Sequence, residues 1–253
     1  MNPQGKTALV TGGAHRVGKA ITLALARAGA NVVINYHTSG DAAKTTAAEV
    51  QRLGVEARLT QADVSDPDQV QAMVAAARKS FGSVDILVNS ASHFAQDPFP
   101  TTDFSVWHSV IDVLVHGPYY CANAVAPLML EQGEGVIVNI VDLSAWDPWP
   151  DRGAHSVSKA ALLALTRQLA LELAPKVRAN AVAPGPVMPS PHFDQAQIDR
   201  LARKNLLNRW GGGEEVAKAV MYLVDADFVT GEVIAVDGGE RFGHLRYRFR
   251  DEE

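Results

Sequence analysis

The opening segment, residues 7–29, constrains the chain more than any other part of the sequence. The run Thr7-Ala-Leu-Val-Thr11 has no charged residue and reads as a strand buried on both faces. A turn with glycines at 12, 13 and 18 follows at once, and residues 17–28 then read as a helix closed by Gly29. A glycine-rich turn between a first strand and a first helix lets backbone N–H groups approach a pyrophosphate, and the helix N-terminus favours the negative charge. The segment therefore predicts a dinucleotide cradle, with Gly12, Arg16, Val17 and Gly18 in it.

The same rhythm continues along the chain. Short apolar runs at Asn31–Tyr36, 56–61, Ile86–Asn89, 136–141, 177–183 and Val233–Val236 alternate with helical stretches at 41–53, 65–81, 103–130, 156–173 and 214–223. Ser65 is the expected N-cap of the third helix, and Pro118 and Pro127 should break or bend the long fourth one. Strands apolar on both faces need helices on both sides. Right-handed crossovers then give a single-domain, Rossmann-type α/β fold with a doubly wound parallel sheet. The domain is expected to span residues 1–241, including a Pro-rich substrate loop at 184–208, with a charged tail at 242–253 that carries Arg246, Arg248 and Arg250.

Composition removes several classes of function. The single cysteine, Cys121, excludes a disulfide framework and a cysteine zinc site, and the histidines show no ligand spacing, so no metal is expected. A net charge of −5 argues against nucleic acid as partner. No apolar run reaches the ~18 residues of a membrane span, and the start has no basic region followed by an apolar one. A cytoplasmic protein acting on a small molecule is the expectation.

The second strand ends Asn35-Tyr-His-Thr-Ser39 without the carboxylate that would bind a free ribose diol. His37, Thr38 and Ser39 can instead hydrogen-bond a 2′-phosphate, and Arg16 can add charge. NADPH is therefore the expected cofactor.

With these features in place, the chain from Thr7 to about Gly239 resembles the short-chain dehydrogenase/reductase family. Thr11-Gly12 through Gly18 looks like that family's cofactor turn, and Asp63-Val64 like the pair on the adenine. Asn89-Ser-Ala-Ser92 is similar to its Asn-Asn-Ala-Gly segment, Ser158-Lys159 to the end of its Tyr-x-x-x-Lys motif, and Pro184-Gly185 and Asp237-Gly-Gly239 to its late turns. Finer marks resemble the pteridine reductase and dihydromonapterin reductase branch: Arg16 in the turn, Ser92, Phe94 where that branch stacks a ring on the pterin, and Asp142 thirteen residues before the motif's first position. The resemblance implies that Arg16, His37, Thr38, Ser39, Asp63 and Val64 hold the adenosine half of NADPH. It places Asn89, Ala91, Lys159, Pro184, Gly185 and Val187 along the rest of the cofactor, and Ser92 and Phe94 on the substrate. A homotetramer or homodimer is also implied.

The departures define the expected chemistry. The family's Tyr position is His155, its helical Asn position is Leu114, and Ser90 replaces the second Asn after the fourth strand. His155 and Lys159 are four residues apart and share one helix face. Asp142, His155 and Lys159 are the candidate catalytic set, with Asp142 and His155 sharing proton delivery to a pterin-like substrate. Trp146, Trp149, Phe193 and Trp210 are candidates for the walls of a flat pocket. Two other readings stand beside this one: a cofactor-binding or regulatory protein that has lost catalysis, and a carbonyl reductase of another substrate class.

Overall fold

The apolar runs become seven parallel strands of one sheet in the order β3-β2-β1-β4-β5-β6-β7. The strands are β1 (Thr7–Thr11), β2 (Asn31–Tyr36), β3 (Ala57–Gln61), β4 (Ile86–Asn89), β5 (Gly135–Ile140), β6 (Val177–Pro184) and β7 (Val233–Val236). The structure is a computed structural model that describes residues 1–190 and 192–245. The doubly wound single-domain fold expected from the sequence is the one observed.

Alternation along the strands explains the two helical layers. Ala8 and Val10 of β1 face one side, where they pack with Ile21 and Leu25 of α1 (Arg16–Arg27), Val50 of α2 (Gly40–Arg52) and Val220 and Leu223 of α8 (Gly213–Asp225). Leu9 faces the other side, with Met73 of α3 (Pro67–Phe81), Val125 and Met129 of α5 (Gly117–Gln132) and Leu173 of α6 (Gly153–Leu173). Cys121 is buried in this second layer, and burial pushes its thiol up to about 12. The chain runs outward from β1 to β3 and then returns to β4 beside β1, which opens a crevice beyond the carboxyl ends of β1 and β4.

Several local expectations are corrected. Asp66, not Ser65, caps α3: its carboxylate accepts from the N–H groups of Asp68 and Gln69. Pro67 forces the residue before it out of the helical region, so the cap falls on Asp66, while Ser65 bonds to Asp63. The stretch 103–130 is not broken at Pro118. α4 (Ser105–Ile111) runs through a π-helical turn, Asp112–His116, into α5. There the Gly117 N–H reaches back to Asp112 O, so the wider turn falls where Pro118 has no N–H to give. Pro127 lies inside α5 without ending it. α6 begins three residues earlier than expected, which puts His155 in its first turn.

The segment 184–208 contains a helix, α7 (Gln195–Ala202), started by a reciprocal Asp194–Gln197 capping box. The expected domain end at 241 falls inside a short 3-10 segment, Glu240–Leu245, and residues 246–253, with Arg246, Arg248 and Arg250, lie outside the described residues. No helix among the described residues is long and apolar enough to cross a membrane.

Candidate active site

The glycine turn is built so that nothing can replace its key glycines. Gly12 has φ +61°, and a Cβ there would stand 2.9 Å from the Cα of Ala91. A Cβ at Gly18 would overlap the carbonyl oxygen of Gly12. Hydrogen bonds from neighbouring strands and loops fix the turn from outside. Gly13 N–H donates to Asn35 O at 3.1 Å. Thr11 Oγ1 accepts from the N–H groups of Ser90 and Ala91. The helix that follows has no side-chain cap and no acidic residue in its first turn, so its first N–H groups face the crevice without a competing carboxylate.

The crevice holds a cleft of about 520 Å³. At one end its walls are His37, Thr38, Ser39, Asp63 and Val64; in the middle come Gly12, Arg16, Val17, Gly18, Ala91 and Ser92; at the other end stand Asp142, Lys159, Pro184 and Gly185. This cleft fits a dinucleotide: it runs across the carboxyl ends of the strands and follows the glycine turn, whose backbone leaves no room for a side chain at Gly12 or Gly18. His37 Nε2 lies 3.8 Å from Asp63 Oδ2. The Arg16 guanidinium is engaged elsewhere, donating to Met188 O at 2.8 Å and Pro189 O at 3.2 Å. Arg16 thus ties the cofactor turn to the loop after β6.

Four of the expected residues, Asn89, Phe94, His155 and Val187, stand back from the cleft wall. Asn89 is buried in the sheet, where its amide donates to Asn139 Oδ1 at 2.8 Å. Val187 is buried and faces a separate depression lined by Leu207, Arg209 and Glu215. Leu114, in the π turn, packs among Val110 and Ala154.

Asp142, His155 and Lys159 meet at the inner end. Asp142 follows β5, and its Oδ1 accepts from the Ser144 N–H at 2.9 Å and from the Ser144 hydroxyl. Its Oδ2 lies 2.6 Å from His155 Nε2. Burial pushes the Asp142 carboxyl up, but the hydrogen bond from His155 and the nearby charge of Lys159 outweigh it and hold the carboxyl below the usual range. An ionised carboxylate only accepts, so the hydrogen between the two sits on Nε2. Lys159 is buried and donates to Ile140 O at 2.8 Å. Burial pulls its ammonium below the usual lysine value, and Asp142 partly opposes this. His155 itself is only 3% exposed and lies behind Asp142, which faces the cleft.

Aromatic rings cover His155. Phe94 meets it edge-on, with centroids 4.9 Å apart, and Trp149 is stacked at 5.8 Å. The Arg152 guanidinium stands 4.6 Å from the Phe94 centroid. The sequence left four aromatics open as pocket walls, and Trp149 is the one beside His155. Ser144 was not anticipated, although Asp142-x-Ser144 has the spacing of an Asx turn.

The depressed Asp142 carboxyl has a consequence for stability. The unfolded chain binds this proton more tightly, so the contribution is whole above the ordinary carboxylate value of about 3.9 and is lost as pH falls through the lower folded value. Asp142→Asn lacks it at every pH. Urea unfolding should find the variant less stable near neutrality by about 2 kcal/mol, the usual worth of a hydrogen bond to a charged group, with the gap closing in acid.

A doubly wound sheet with a glycine cradle and a polar cluster at the cleft's inner end defines a dinucleotide-dependent oxidoreductase. A family model described as "Enoyl-(Acyl carrier protein) reductase" matches residues 12–240. The 3-oxoacyl-[acyl-carrier-protein] reductase FabG of Staphylococcus epidermidis is 35% identical over 240 residues, covering 92% of this chain and 98% of that protein. The gluconate 5-dehydrogenase of Burkholderia cenocepacia, in complex with NADP and tartrate, has a TM-score of 0.87 at 31% identity, covering 94% of this chain and 96% of its own. Acetoin dehydrogenase YohF of Salmonella typhimurium has a TM-score of 0.86 at 34% identity, again covering 94% of this chain and 96% of its own. The chain belongs to the short-chain dehydrogenase/reductase family.

Proposed function

We propose that this chain is an NADPH-dependent reductase of a flat nitrogen heterocycle, a pterin-like substrate, with the Asp142–His155 pair in charge of the proton. The observation that carries the reading is the 2.6 Å contact between His155 Nε2 and Asp142 Oδ2 beside the buried Lys159. The bound nicotinamide supplies a hydride to the substrate carbon. The turn from Gly12 to Gly18 holds the pyrophosphate, and Asp63 and Val64 hold the adenine. His37, Thr38 and Ser39 take the 2′-phosphate. The NADP named in the gluconate 5-dehydrogenase structure supports the choice of cofactor.

Reduction of a C=N bond also needs one proton on nitrogen. His155 holds a proton at Nε2, 2.6 Å from Asp142, and Asp142 is the member of the pair on the cleft wall. Asp142 therefore takes a proton from water in the cleft and passes it to the ring nitrogen, while His155 keeps its Nε2 hydrogen, whose loss would leave an imidazolate, and holds the carboxylate in place through it. Lys159 keeps positive charge beside the pair and favours the ionised carboxylate between deliveries. Phe94, more than half exposed, has the Arg152 guanidinium over one face of its ring and offers the other to a planar substrate.

Two other readings have specific support. The names of the relatives favour a carbonyl substrate, an oxoacyl thioester or a hydroxyketone. The burial of His155 favours a cofactor-binding protein without turnover. NADPH oxidation with a dihydropterin, a 3-oxoacyl thioester and acetoin separates the three. The proposal expects turnover with the dihydropterin and a loss of about tenfold in kcat/KM for that substrate in Phe94→Ala, the worth of roughly 1–1.5 kcal/mol of ring contact. Turnover of the thioester or acetoin alone overturns the substrate class. NADPH binding with no turnover on any of them supports the non-catalytic reading.

A further inference from the structure

We infer that Asp97 is a positioning residue for His155: it clasps together the two loops that cover the imidazole and so fixes which ring nitrogen faces Asp142. The inference rests on the proton role proposed for that pair.

The first turn of α6 carries His155, yet its N-cap residue Arg152 makes no side-chain cap. The capping carboxylate comes instead from the loop after β4. Ala154 N–H donates to Asp97 Oδ2 at 2.9 Å, and Asp97 N–H donates to Asp151 O at 2.9 Å. Asp97 is buried. Asp151 is left-handed, with φ +53°. A non-glycine residue keeps that conformation only where its surroundings hold it.

The clasp joins both halves of the cover. Phe94 lies three residues before Asp97, and Trp149 and Arg152 lie on the loop that Asp97 holds. Trp149 N–H in turn donates to Ser156 Oγ on α6 at 3.2 Å. Beneath these rings His155 Nδ1 is buried and has no hydrogen-bond partner. No polar group therefore selects the ring orientation from that side. The Asp142 carboxylate keeps the hydrogen on Nε2, and the enclosing rings hold that nitrogen toward it and keep water from Nδ1. Releasing the clasp lets water reach Nδ1 and lets the ring turn away from Asp142, after which both tautomers form.

The test combines imidazole nitrogen NMR with kinetics on the parent, Asp97→Ala and Asp97→Asn, with His155 assigned by comparison with His155→Ala. The parent is expected to show a proton on Nε2 and a bare Nδ1. Asp97→Ala should show a mixture of tautomers and a kcat lower by on the order of 10- to 100-fold, with NADPH binding unchanged. Asp97→Asn keeps an acceptor for Ala154 N–H and should restore most of both. A parent-like tautomer in Asp97→Ala overturns the inference, as does an Asp97→Asn as impaired as the alanine variant. Should Asp97→Ala fail to fold, Trp149→Ala opens the cover directly; it is expected to mix the tautomers, and a parent-like spectrum there overturns the inference equally. A parent without turnover defeats the proposed reaction, while the tautomer spectra still decide the clasp.

Discussion

Gly18→Ala is expected to abolish dinucleotide binding while leaving the sheet folded. The added methyl would overlap the carbonyl oxygen of Gly12, and its carbonyl carbon would lie only 2.9 Å away. Gly12 cannot retreat: it is left-handed, its far side abuts Ala91, and its N–H reaches Asn35 Oδ1 at 3.3 Å. The strain must therefore move the start of α1 away from the turn, and the N–H groups that would meet a pyrophosphate move with it. Fluorescence titration should find NADPH bound about 100-fold more weakly or worse, a loss of about 3 kcal/mol. Circular dichroism should report a helical content close to that of the parent. Near-parental affinity would show that the turn does not carry the cofactor.

Asp142→Asn is expected to lower kcat by about 10²- to 10⁴-fold, the usual span for removing a positioned acid–base group, with NADPH affinity retained. The amide is nearly the same size and can keep the Ser144 contacts, so packing is little changed. What is lost is the charge that His155 and Lys159 face. Lys159 loses the one charge that opposes its burial, and its ammonium becomes harder to keep. Steady-state kinetics on a dihydropterin measures the loss, and a variant with parental kcat would remove Asp142 from the proton path.

The fold was legible because its signals are local and repeated. The apolar run of β1, the glycines at 12, 13 and 18 and the next apolar run each state a backbone requirement that a parallel sheet satisfies. The helix from Asp112 to Gln132 was harder to read: Pro118 signals a break, but a widened turn absorbs it, and no single residue announces a π turn. Within the site, spacing placed His155 and Lys159 on one helix face. The closeness of Asp142 was an expectation from family geometry, because a pair thirteen residues apart across a loop has no periodic signature. The orientation of side chains was less legible still. Arg16 was expected at a phosphate and is found on the carbonyls of Met188 and Pro189, since a long cation reaches whichever acceptors the tertiary fold brings near. The Asp97 clasp joins segments 57 residues apart and carries no local signal at all.

The central claim is that Asp142, held by His155, passes the proton that this reaction needs. The rate of NADPH oxidation with a dihydropterin, measured for the parent and for His155→Ala at equal cofactor occupancy, tests it most directly. The account predicts turnover by the parent and a loss of at least about 100-fold in the variant, with NADPH bound equally by both. Equal turnover by the two proteins, or a parent that binds NADPH and oxidises none of it, would contradict the account.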